Sequence, residues 1–116
     1  SILAAYNSTC CITGLRNSAF LIASHIAPWA SDEKNRLNPR NGLCLNSLHD
    51  KAFEAGLITI IPGYTIKISS VLKKDKEQKA IKAYFLKYDN HSIILPSRFL
   101  PDPDLLTHHN KERFIR

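Results

Sequence analysis

The chain has 116 residues, 44% of them apolar and 22% charged, with four Gly and six Pro. That is room for one globular domain, and it excludes disorder, collagen-like repeats and low complexity. Sixteen Lys and Arg against ten Asp and Glu leave a net charge of +6 and a pI near 9.4, which attracts polyanions such as nucleic acid or, more blandly, keeps a small domain soluble.

No apolar run approaches the roughly 20 residues of a membrane span, and no basic-then-apolar signal peptide is present, so no membrane partner is expected. Three cysteines are an odd count, and Cys10 and Cys11 are adjacent. That is a poor disulfide framework and points to a reducing cytoplasm. The sequence holds no Met. Ser1 therefore reads as a trimmed end, and the chain as a piece of a longer protein with an additional domain.

Taken in chain order, residues 2–6 read as the last turns of a helix. Residues 10–14 read as a short strand turning at Gly14, and residues 18–26 as a second strand stopped by Pro28. The two together form a hairpin looped at Leu15–Asn17. Residues 30–42 are polar, with Pro39 and Asn41-Gly42 as turn signals, and read as irregular. Residues 43–55 carry apolar side chains at 45, 48, 52 and 55, which is helical spacing, and Gly56 supplies the stop. Strand-like runs at 57–61 and 64–69 meet across Pro62-Gly63. Residues 73–87 fit a short helix or an ordered loop, and 92–95 a brief strand. Asp102 or Asp104 caps a final helix running through Arg113. No repeat or linker divides the chain. The lysines at 73, 74, 76 and 79 alternate with Asp75 and Glu77, the pattern of a solvated segment.

Two of the five histidines are placed informatively. His25 ends the second strand, His49 lies mid-helix, and Asn41 stands at the junction between them. This order suits phosphodiester hydrolysis. A water must lose a proton as it attacks, and imidazole, with an ordinary pKa near 6.5, suits that task. Charge gathering on phosphorus and the leaving oxygen calls for a divalent cation, which a second imidazole can hold. An Asn side chain can tie loop to strand and aim the base. Singly, each residue has an ordinary alternative: a histidine on a strand or helix is commonly structural, and Asn-Gly is first a turn signal. The case rests on order and spacing.

The blocks Cys11-Ile-Thr-Gly14, Ala23-Ser-His-Ile-Ala-Pro-Trp29, Arg36-Leu-Asn-Pro-Arg-Asn-Gly-Leu43, Leu48-His-Asp-Lys-Ala-Phe53 and Gly56-Leu-Ile-Thr-Ile60 resemble the HNH endonuclease family, in particular its bacterial restriction-type branch. Leu95-Pro96, Leu106-Thr-His-His109 and Phe114 resemble that branch's closing helix. The resemblance implies an α+β fold: a ββα-metal core of a β-hairpin packed on a helix, with an added small antiparallel sheet and a C-terminal helix. It implies His25 as general base, Asn41 as the residue that orients it, and His49 as ligand of a catalytic metal. Pro28 and Trp29 anchor the loop. Mg2+ or Mn2+ is the expected ion, and Zn2+ or Ni2+ can occupy an imidazole site. Arg36, Arg40 and Lys51 are the candidates for contact with the DNA backbone.

Two departures from the family pattern stand out. Ser24 occupies the place where many relatives carry an Asp or His that supplies a second metal ligand. Gly14 and Ser47 follow Cys11 and Cys44 where paired cysteines would hold a structural zinc, so a four-cysteine zinc is not expected and both thiols read as small buried hydrophobes. Asn46 reads as a helix cap in preference to a ligand. His109 is expected to dock the closing helix, and His91 and His108 to lie on the surface. The expected function is metal-dependent endonuclease action on DNA in restriction or antiviral defence, with a homodimer as one arrangement for cutting both strands. The alternatives are a nucleic-acid-binding module with weakened or lost catalysis and a protein-interaction domain with incidental histidines.

Overall fold

The computed structural model describes residues 1–28 and 32–116. The expectation for Trp29, and part of that for the 30–42 loop, lie outside the described residues. The fold is α+β. Two small antiparallel sheets carry β1 (Leu21–His25) with β2 (Gly42–Asn46), and β3 (Ile58–Ile61) with β4 (Thr65–Ile68). The helices are α1 (Ile2–Ala5), α2 (Ser47–Glu54), α3 (Ser70–Lys73), α4 (Lys79–Tyr84) and α5 (Pro103–Glu112). None of the described helices is long and apolar enough to cross a membrane.

The first sheet corrects two expectations. Residues 10–14 form a buried turn: the Cys11 N–H donates to the Cys44 carbonyl at 2.9 Å, and Gly14 N–H donates back to the Cys10 carbonyl. The partner of β1 is β2, in a register that sets His25 opposite Gly42 and Leu21 opposite Asn46. Residues 42–46 are therefore strand, and the helix is the shorter Ser47–Glu54. Gly42, Leu43, Cys44, Leu45 and Asn46 are all buried, and such a continuous apolar run does not distinguish a helix from a strand covered on both faces. Asn46 marks the switch. Its Oδ1 accepts from the His49 backbone N–H at 3.0 Å, capping α2 and leaving about two turns of the expected helix before its stop.

That stop is where the sequence puts it. Gly56 has φ +77°, its N–H donates to the Phe53 carbonyl, and the Leu57 N–H donates to the Ala52 carbonyl at 2.8 Å. The paired bonds satisfy carbonyls that the helix end leaves free. A Cβ at Gly56 would also lie 2.2 Å from the Arg113 carbonyl oxygen, so glycine permits both the turn and the approach of the chain after α5.

β3 and β4 meet across Pro62-Gly63, and their isoleucines 58, 60, 66 and 68 join Phe53 and Leu106 in the core. Ser92 adds a single bridge to Thr65. The segment left open between helix and loop resolves as α3, α4 and a 3-10 turn at Leu86–Tyr88. Asp102 caps α5, accepting from Asp104 N–H at 2.8 Å, with Pro103 in the first turn where its missing N–H costs nothing.

Candidate active site

His25 closes β1 at the mouth of a cavity of about 360 Å³. Ser24, Ile26 and Pro28 line it from the strand side, and α2 contributes Asp50, Phe53 and Glu54. His109 and Arg113 complete it from α5 and its C-cap.

Asn41 is fully buried behind this wall. Its Oδ1 accepts from Ala27 N–H at 2.7 Å, and its Nδ2 donates to the carbonyls of Ala27 at 3.2 Å and Asn35 at 3.1 Å. Its own carbonyl accepts from Ile26 N–H. One side chain thus clamps the backbone just beyond His25 to the returning loop. An amide suits this place because its two N–H donors and its carbonyl acceptor are all used.

His49 does not face His25. It lines a different cavity with Leu48, Tyr84 and Tyr88, is 2% exposed, and has both ring nitrogens engaged. Nε2 donates to the Tyr84 carbonyl at 2.6 Å, so Nδ1 is the acceptor, taking the Asn46 Nδ2–H at 2.9 Å. Phe85 packs 4.8 Å from the ring, centre to centre. Burial pushes this imidazole below its usual pKa, against the pull of the Tyr84 carbonyl. The expectation that His25 and His49 converge on one cavity is therefore corrected. A step of one residue along a helix turns the side chain by about 100°, and it is Asp50 that comes round to the cavity of His25. The signal was present in the spacing. His49, Ala52 and Phe53 are the buried stripe of α2, while Asp50 and Glu54 stand four apart on another face.

Arg36, Arg40 and Lys51 are absent from the cavity wall. Arg36 and Arg40 lie in the loop before Asn41, where Nη1 of Arg40 reaches the Leu100 carbonyl at 3.4 Å, and Lys51 is exposed on α2. The cation on the wall is Arg113, which sequence reading missed; its Nη1 donates to the Glu54 carbonyl at 3.0 Å. Only the docking of α5 onto α2 places it there.

His109 stacks on Phe53, rings 3.7 Å apart and 5° from parallel. Its Nε2 donates to the Phe53 carbonyl at 2.9 Å, and its Nδ1 accepts from the Thr59 hydroxyl at 2.8 Å. A neutral imidazole is what these partners require, and burial lowers its pKa to about 4. His91 and His108 are exposed.

Cys10, Cys11 and Cys44 are free and buried. Burial raises the Cys11 pKa well above the ordinary thiol value and that of Cys44 to about 11, which keeps both as neutral thiols. Among the described residues no three His, Cys, Asp or Glu side chains come together closely enough to hold a metal by themselves.

A strand-borne histidine, an asparagine clamp on the following loop and a carboxylate-bearing helix thus stand around one cavity in a β-strand, β-strand, helix arrangement. Residues 10–61 match the family model described as HNH endonuclease, and the matched segment holds His25, Asn41 and all of α2. No curated protein matches the chain.

Proposed function

We propose that this domain is a divalent-metal-dependent endonuclease that hydrolyses DNA phosphodiester bonds, with His25 as the general base, Asn41 as the residue that holds it in place and Asp50, not His49, as the metal ligand of α2. The observation that carries this reading is the shared cavity of His25 and Asp50, with Asn41 clamping the backbone beside them.

The donor set fits a hard cation. Mg2+ is commonly held by one or two carboxylates, with water and substrate phosphate completing its shell. Asp50 and Glu54 repel each other one turn apart unless a positive charge lies near. With His49 withdrawn, the imidazole donor that would favour Zn2+ or Ni2+ is lost, which leaves Mg2+ or Mn2+. When bound, the ion would neutralise charge on the phosphate and on the departing oxygen.

His25 accepts the proton of the attacking water at its free ring nitrogen. Asn41 keeps the strand end from drifting, because moving Ala27 breaks two hydrogen bonds at once. Arg113 presents a guanidinium to a phosphate oxygen, and Phe53 with His109 forms a flat wall that limits water. Arg36, Arg40 and Lys51 reach the flanking phosphates outside the cavity. The likeness of the motif blocks to restriction-type nucleases supports a role in restriction or defence, within a longer chain or a homodimer.

Incubating supercoiled plasmid with the domain and Mg2+ or Mn2+ tests the reading. Nicking that EDTA abolishes, that Asp50→Asn removes and that folded His49→Gln retains supports it. Loss with His49→Gln at unchanged fold, and retention with Asp50→Asn, refutes the assignment. A second reading is favoured by Ser24, buried at 5% exposure where a stronger ligand is usual: a nucleic-acid-binding module without catalysis. It predicts retarded plasmid in a gel and no nicks.

A further inference from the structure

The cavity on the other side of α2 is larger, about 560 Å³, and plays no part in the chemistry above. Tyr84, Lys87 and Tyr88 line it from the segment after β4, facing Leu48, His49 and the backbone turn at Gly14. Its size falls within the range of about 300–1,000 Å³ usual for small-molecule pockets.

Lys87 lies on its wall, and α4, which supplies Ala83 and Tyr84 to the wall, also carries Lys79 and Lys82; all three lysines are exposed, and the only ion pair among the described residues engages Lys73 with Asp89 at 3.1 Å. Lys79 lies one helical turn before Ala83, itself on the cavity wall. The Lys87 ammonium stands 5.2 Å from the centre of the Tyr88 ring, and Tyr84 is 53% exposed. The floor is fixed, because His49 ties the Tyr84 carbonyl to α2.

We propose that this cavity is a second nucleic-acid contact that takes one unpaired base of a single-stranded segment, stacked on Tyr84 and Tyr88, while Lys79, Lys82 and Lys87 hold the adjoining phosphates. An aromatic floor with a lysine rim matches the two faces of a nucleotide, a flat π-surface beside a charge. A base still paired in a duplex cannot enter a cavity, so the preferred partner is a frayed end, flap or gap. The inference rests on the nuclease reading only for the choice of a polyanion as partner.

Fluorescence anisotropy of a labelled ten-nucleotide oligo-dT, in EDTA, tests it on the whole chain. Tyr84→Ala keeps the carbonyl that His49 needs and is expected to weaken binding about tenfold, while Tyr84→Phe restores it. Lys82→Glu with Lys87→Glu is expected to weaken binding at least tenfold and to flatten the salt dependence. Tyr84→Ala is expected to nick plasmid at saturating protein as before. Native affinity in Tyr84→Ala and in the lysine double variant, or an equal loss on blunt duplex of the same length, overturns the proposal whether or not the domain cuts DNA. A loss confined to single strands supports it even if no nicking is seen.

Discussion

At His25 the strand end is held by hydrogen bonds that Asn41 makes two residues further on. Removing the proposed base and removing its support should therefore look different. His25→Ala is expected to cut nicking at least about 100-fold with the melting temperature unchanged, the size of a lost proton-transfer contribution; activity within a factor of a few of native overturns the assignment. Asn41→Ala deletes three buried hydrogen bonds and exposes the Ala27 and Asn35 groups to an empty space. It is expected to cost about 3 kcal/mol in urea unfolding and to lower activity even in the molecules that remain folded. His49→Ala belongs with Asn41 and not with His25. It leaves the Tyr84 carbonyl unpartnered, so a loss of about 2 kcal/mol is expected, with no shift in the Mg2+ concentration needed for nicking. A shift in metal requirement in that variant would return His49 to the ligand set.

At the scale of elements, three contacts fix how α2 meets its neighbours: the Asn46 cap, the Gly56 stop and the His109 clasp. Asn46 both caps the helix and donates to His49, so Asn46→Ala should cost more than the roughly 1 kcal/mol of an ordinary cap. His109 joins α5 to β3 through Thr59 and to α2 through Phe53. Its pKa is lowered to about 4 by burial foremost, against an unfolded value near 6.5. Between these limits the unfolded chain binds the proton and the folded one does not. The stability that the neutral ring supplies is therefore complete above about pH 6.5 and is lost as the pH falls toward 4, by on the order of 3 kcal/mol. His49, lowered for the same reason, adds to the loss. Urea midpoints at pH 7 and pH 4.5 check this: the native chain should lose stability steeply, and His109→Gln should lose much less over the same interval. Equal slopes would show that the clasp tolerates the charged ring. Because Arg113 follows α5 directly, loosening the clasp also withdraws the guanidinium from the His25 cavity.

At the scale of the whole molecule, the net charge of +6 favours polyanions from any side, and the fold makes the sides different. One face of α2 turns carboxylates toward His25; another is covered by the segment 79–88, with a second cavity between them. The residues alone were enough to set the α+β class, the stop of α2 and the start of α5, and to put His25 and Asn41 on either side of one loop; sequence reached these and little more. Those features are local: glycine at a left-handed turn, aspartate and asparagine at helix starts, and motif order along the chain all act within a few residues. It could not tell that Leu43-Cys-Leu45 is a strand, because a run buried on both faces has no period to read. Spacing separates His49 from Asp50 by about 100° around the helix, but it does not say which of the two faces meets the His25 cavity. Only the packing of α4 and Phe85 over one of them, and of β1 and α5 beside the other, made the first a core residue and left the second on the cavity wall. The same long-range docking brought in Arg113, dozens of residues from the motif, because a cavity wall is assembled by contacts that chain order does not record.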